Sequence, residues 1–190
     1  DPAVALMGIE PSAAIASEEL AIIALFLLMG NFAAAAGLSG DLYRLAQAFL
    51  GHRKGGLAMA TVATCAGFGA VCGSSLATTA TMTRIALPEM ESRGYSRRLS
   101  TGSIAAGSTL GVIVPPSVLL VLYAILTEQF VTALFVAALG PALIAVILYL
   151  LSVVAYVTVS PNSGPAAERV AWPERRSVLK QSWGVVFLAF

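Results

Sequence analysis

The groups in this chain best suited to chemistry are backbone oxygens. Pro115 and Pro116 carry no N–H, so a helix running into them leaves the carbonyls of Gly111 and Val112 without their usual donors. Gly107 and Gly111, one turn apart, allow an irregular path and close approach by another element. An earlier interruption, at Gly67, Gly69 and Gly73 followed by Ser74 and Ser75, adds hydroxyl and carbonyl oxygens, and either serine suits the N-cap of a returning helix. Neutral oxygens of this kind suit a hard monovalent cation such as sodium. Helices that restart after Ser75 and after Pro116-Ser117 offer N–H donors and partial positive charge, which favour a carboxylate. The apolar runs 57–87 and 99–127 contain no Asp, Glu, His or Lys, so they carry no proton relay. They also lack any Ser-His, Cys-His or paired-Asp arrangement, which argues against an enzyme. Cys65 and Cys72 read as packed free thiols, with no His or acid close enough in sequence to complete a metal set.

The elements that must position these groups are membrane elements. Of 190 residues, 58% are hydrophobic and 11% charged, a composition outside the range of soluble globular domains. The mean hydropathy of +0.86 points the same way. Short basic clusters without interleaved aromatics exclude a nucleic-acid partner; the lipid bilayer is the surrounding medium. Residues 1–17 are a mildly apolar lead-in with Ser17 as an N-cap. Residues 20–38 predict a first transmembrane helix, about 28 Å long. Residues 41–51 predict an interfacial helix with Leu42, Leu45, Ala46 and Phe49 on its apolar face, closed by His52-Arg53-Lys54.

Residues 57–87, whose only charge is Arg84, are too few for two spans, which need about 40 residues, and long for one. A return leg of residues 76–87 is only about 18 Å of helix, so the spacing predicts a re-entrant hairpin with its tip at Gly73-Ser74-Ser75. Residues 88–98 predict a polar loop, and 99–127 a span broken near mid-membrane. Residues 130–139 predict an interfacial helix and 141–159 another span, before a polar linker that opens at residue 160. The organisation is therefore all-α: 1–56 scaffold-type, 57–127 the hairpin and broken helix, 128–160 interfacial and transmembrane, 161–190 a linker and the start of a further helix. With the hairpin re-entrant, all eleven Lys and Arg residues fall on one side, which the positive-inside rule makes the cytoplasm. Arg84 reads as a snorkelling anchor at the hairpin base, and Tyr43, Tyr95, His52, Trp172 and Trp183 as interface anchors.

Irregular backbone at membrane depth is tolerated only where protein buries it or it lines a cavity. Paired breaks of that kind mark the site of a secondary transporter. The residues alone thus predict a sodium-coupled carrier of organic anions. A channel or a non-transporting scaffold are the competing classes.

The segments Gly73-Ser74-Ser75-Leu76-Ala77-Thr78, Leu87-Pro88-Glu89-Met90, Arg93-Gly94-Tyr95 and Ala105-Ala106-Gly107-Ser108-Thr109-Leu110-Gly111-Val112-Ile113-Val114-Pro115-Pro116-Ser117, in that order, resemble the large membrane subunit of TRAP (tripartite ATP-independent periplasmic) transporters. Glu18-Glu19-Leu20, Gly30-Asn31, Tyr43-Arg44-Leu45 and Thr127-Glu128 extend the likeness over most of residues 17–141. Ser108 stands where the family commonly has Gly, and Thr79-Ala80-Thr81 where smaller residues are frequent. The resemblance implies an elevator-type permease in the bacterial inner membrane, its basic loops cytoplasmic. It further implies a small membrane subunit and a periplasmic substrate-binding protein as partners, and a carboxylate such as a C4-dicarboxylate or a sialic acid as substrate. No cofactor is implied beyond sodium as the coupling ion. Carried over by motif, Ser74 or Ser75 with the carbonyls of Gly111, Val114 and Pro116 surround the ion; Gly111 also follows from the proline argument, whereas Val114 and Pro116 rest on the likeness. Substrate is expected beside it, near Ser74, Ser75, Thr78 and Ser117. A single-component sodium/anion symporter of related architecture is the alternative within transport. Asp1-Pro2 and the apolar run 183–190 suggest an internal fragment, with the opposing half-site beyond residue 190 and no transport by the fragment alone.

Overall fold

The computed structural model describes residues 18–166. The lead-in 1–17 with Ser17, the basic residues Arg169, Arg175, Arg176 and Lys180, Trp172, Trp183 and the run 183–190 lie outside them. Among the described residues the chain is all-helical: α1 (Glu18–Ala35), α2 (Leu38–Leu50), α3 (Gly56–Cys72), α4 (Ser75–Ser92), α5 (Arg97–Ile113), α6 (Val118–Leu126), α7 (Val131–Val159) and a short 3-10 turn (Pro161–Ser163). The central element is α3, which packs against α1, α2, α4, α5 and α7. It is apolar on every side, as a helix enclosed by others must be; Leu57, Ala58, Ala60, Val62, Cys65 and Phe68 are all buried. By contrast α7 buries only Ala142, Val153 and Val157 and exposes a long apolar surface. Among the described residues it alone is long and apolar enough to cross a bilayer; α5 and α6 together make a second such unit, bent by 41°.

Several boundaries differ from those expected. The first helix ends at Ala35 and not at residue 38, because Gly37 adopts a left-handed conformation (φ 80°) and starts α2. On α2 the buried residues are Leu38, Ser39, Tyr43 and Ala48, while Phe49 is exposed. Tyr43 is therefore a core residue and not an interface anchor. The two elements expected at 130–139 and 141–159 are one helix with Pro141 inside it. Proline deletes only the bond to the Ala137 carbonyl, and continuing the helix keeps every other backbone group paired where water is scarce.

The largest correction concerns α4, which runs through Pro88 to Ser92 and, with the first two residues of α5, replaces most of the expected loop 88–98. Burial of Met90 and the Glu89–Arg93 ion pair (2.7 Å) hold its last turn, as does a hydrogen bond from Gln47 to Glu89 (3.3 Å). The 18-residue helix is about 27 Å long, so its length no longer argues against a crossing. Arg84, expected at the hairpin base, lies midway along it.

What fixes the hairpin is its base. Gly55 N–H donates to the Gly164 carbonyl (2.9 Å) and Ser96 N–H to that of Ser163 (2.9 Å), so the loops before α3, before α5 and after α7 meet at one end. That end carries Arg53, Lys54, Arg93, Arg97 and Arg98. Tyr95, expected at an interface, is buried there, and its hydroxyl accepts from the Leu57 N–H (3.1 Å) in the first turn of α3. Burial raises its pKa above the ordinary tyrosine value, keeping the neutral phenol. Tyr95→Phe strands a buried N–H and is expected to destabilise the protein by about 1–3 kcal/mol. Thermal unfolding of the full-length permease in detergent measures this.

Candidate functional site

At the opposite end the hairpin tip meets the break. α3 runs as regular helix through Gly67 and Gly69 and stops at Gly73, whose left-handed φ of 60° only glycine adopts without strain. α5 likewise runs through Gly107 to Ile113, so the breaks are narrower than the sequence suggested: residues 73–74 and 114–117. Gly67, Gly69 and Gly107 are packing positions. A Cβ on Gly67 would touch Leu42, one on Gly107 the Cys65 sulfur at 3.1 Å, and one on Gly69 would come within 2.6 Å of Gly111 Cα. That last contact is a crossing of two helix backbones, the close approach that small residues permit in membrane helices.

Gly111 is the meeting point. A Cβ there would lie 3.0 Å from Thr78 Oγ1 and 3.1 Å from the Ser74 carbonyl oxygen. A Cβ on Gly73 would lie 3.0 Å from the Pro116 carbonyl oxygen and 3.5 Å from Ser117 Cα. Val118 N–H also reaches the Gly73 carbonyl (3.4 Å). The tip is thus seated against the break, with Gly73, Ser74, Thr78, Gly111, Pro116 and Ser117 in one locus. Val114 packs its side chain against the apolar core. Its N–H makes the last bond of α5, to Leu110 (2.8 Å). Beyond it come Pro115 and Pro116, joined by a cis peptide, so no following N–H serves the Gly111 and Val112 carbonyls.

The hydroxyls here are partly committed. Ser74 is the N-cap of α4, its Oγ accepting from Ala77 N–H (3.3 Å), and Ser117 is the N-cap of α6, accepting from Leu120 N–H (3.4 Å). The Ser74 carbonyl accepts from both Thr78 N–H (3.1 Å) and Thr78 Oγ1 (2.8 Å). Thr78 is fully buried, with the Cys72 thiol 3.3 Å from its hydroxyl. Its side chain faces the helix packing and not a cavity. Ser75 is half-buried. The donor set that remains suits a small hard cation: the carbonyls of Gly111, Val112, Val114 and Pro116, and the spare lone pairs of the serine hydroxyls. Val112 was visible in the proline spacing. Cys72 and Gly30, whose added Cβ would lie 2.8 Å from Cys72 Cβ, support the tip from behind; no spacing in the sequence signals that contact.

Over residues 2–190 the chain matches the family described as the DctM component of the tripartite ATP-independent periplasmic transporter. It is 37% identical over 175 residues to the C4-dicarboxylate TRAP transporter large permease protein DctM of Pseudomonas aeruginosa, covering 90% of this chain and 40% of that one. Identity to the ectoine/5-hydroxyectoine TRAP transporter large permease protein UehC of Ruegeria pomeroyi is 32% over 183 residues, 96% of this chain and 41% of that one. With the isethionate TRAP transporter permease protein DctMQ of Oleidesulfovibrio alaskensis it is 38% over 122 residues, 64% and 19%. The chain spans about two-fifths of the length of the first two relatives. With the tip-on-break arrangement and a match along nearly its whole length, the chain belongs to the DctM family, the large permease component of TRAP transporters.

Proposed function

We propose that the chain is the first half of the large permease subunit of a sodium-coupled, binding-protein-dependent transporter that imports a small organic acid across the bacterial inner membrane. One observation carries this reading: the hairpin tip at Gly73-Ser74 sits against the interruption 114–117, where two carbonyls lack helical donors. Sodium would be held by the carbonyls of Gly111, Val112, Val114 and Pro116 and by Ser74 or Ser75, where it offsets the negative charge of an arriving carboxylate. The N-terminus of α4, capped by Ser74, contributes N–H donors to the same carboxylate. Thr78 and Ser117 act as positioning residues, the first locking the tip through the Ser74 carbonyl and the second starting α6.

The clustering of the loops that carry Arg53, Lys54, Arg93, Arg97 and Arg98 supports a hairpin re-entrant from the cytoplasmic side. A small membrane subunit and a periplasmic binding protein complete the transporter, and the tip-bearing half moves against a scaffold that includes α7. The relatives' names give an assay panel of a C4-dicarboxylate, ectoine and isethionate, each carrying a carboxylate or sulfonate group. Full-length permease, reconstituted with its small subunit and given its binding protein, is expected to accumulate one of them under an inward sodium gradient. Replacing sodium by choline is expected to cut uptake at least tenfold. Undiminished uptake without sodium, or uptake driven by a proton gradient alone, would sink the coupling.

A further inference from the structure

A cleft lined by polar and charged side chains runs between α1, α2 and α4 and has a volume of about 690 Å³. That is room for a small organic anion with some of its water. Its upper end lies beside the hairpin tip: Gly30 backs onto Cys72, and Ala77 is bonded to the Ser74 cap. Along α4, Ala77, Thr81 and Arg84 follow one another down a single face, so the cleft descends from the tip towards the basic end. Arg84 lies nine residues below Ser75, about 14 Å of helix. Arg44 of α2 enters the same cleft, together with Asp41 and Asn31. Neither Arg44 nor Arg84 belongs to the Glu89–Arg93 or the Glu91–Arg97 ion pair.

Building on the transport reading above, we propose that Arg44 and Arg84 form a release station for the transported oxyanion, between the hairpin tip and the cytoplasm. Two guanidiniums can each present paired N–H donors to a carboxylate or sulfonate. Asn31 and Thr81 add neutral hydrogen-bonding groups. The Asp41 carboxylate lines the same cleft and opposes an arriving anion, which keeps the anion from being held. A station on an exit path must bind strongly enough to draw the anion off the tip and weakly enough to let it go. Extending α4 past Pro88 is what makes this possible, since it lifts Arg84 from the hairpin base into the cleft.

The test uses the reconstituted full-length transporter with binding protein added outside, which selects outward-facing molecules, and vesicles preloaded with whichever panel anion the unaltered permease takes up. Arg44→Gln with Arg84→Gln is expected to raise the internal concentration that halves net uptake about tenfold, leaving external half-saturation unchanged. Arg44→Lys with Arg84→Lys should recover most of the internal sensitivity. A glutamine variant with no uptake supports the station if lysine restores it and overturns it if lysine does not. Unchanged internal inhibition in a transporting variant overturns it. So does an effect that vanishes in vesicles of zwitterionic lipid alone, because the arginines would then be meeting the net-negative headgroups of anionic lipid. Absence of any uptake by the unaltered permease removes the transport reading itself and is told apart by that control.

Discussion

Gly69→Ala in the full-length permease is expected to cut sodium-driven uptake at least a hundredfold. The added methyl would sit 2.6 Å from Gly111 Cα and 3.0 Å from Gly111 N, both backbone atoms that no rotamer change can move. Either α3 or α5 must shift, and the shift falls on the residue that touches Ser74 and Thr78. Overpacking of this kind costs about 1–3 kcal/mol, so the melting temperature in detergent should fall by a few degrees while the protein still folds. The functional loss should exceed the stability loss, because a displacement of a fraction of an ångström at Gly111 unseats the tip from the break. Gly67→Ala is the internal control. Its methyl meets only the end of the Leu42 side chain, at 3.4 Å, and uptake should stay within about twofold of the unaltered protein. Equal losses at both positions would show that the tip-on-break contact has no special place in transport.

That contrast between two glycines two residues apart also shows where sequence reading stops. The positions of the two breaks were legible because proline deletes a donor and glycine permits positive φ, facts that belong to single residues. The all-helical class was legible from composition and run length. What was hidden depends on neighbours. Gly67 and Gly69 looked alike in the sequence, and only packing makes one a helix crossing and the other a plain contact. Thr78 looked available to a substrate, yet its hydroxyl is spent on the Ser74 carbonyl. Pro88 read as a helix end because the burial of Met90, which holds the last turn together, is a long-range effect. Tyr43 and Tyr95 read as interface anchors because amphipathic rings usually are, and nothing local announces that each is enclosed by other helices.

Pro115→Ala combined with Pro116→Ala is expected to abolish the response to sodium while leaving the protein at least as stable. Alanine restores an N–H at both positions, and those donors fall opposite the Gly111 and Val112 carbonyls. α5 ends about 26 Å from its start, and α6 adds only about 14 Å. Joined through residues 114–117, they make one helix of about 45 Å, longer than the bilayer core and able to cross it by tilting, so the 41° bend can straighten once the prolines are gone. Straightening withdraws both carbonyls into the helix ladder and carries the Pro116 carbonyl away from Gly73. Three of the oxygens assigned to the ion are lost together. Uptake should become insensitive to the sodium gradient and fall at least a hundredfold, with the melting temperature unchanged or raised. Thermal unfolding with and without sodium gives a readout independent of uptake. The unaltered permease should melt higher in sodium than in choline, because a bound ion stabilises the folded state, and the alanine variant should melt at the same temperature in both. A variant that keeps its sodium-dependent shift would place the ion elsewhere and leave the break as a structural bend.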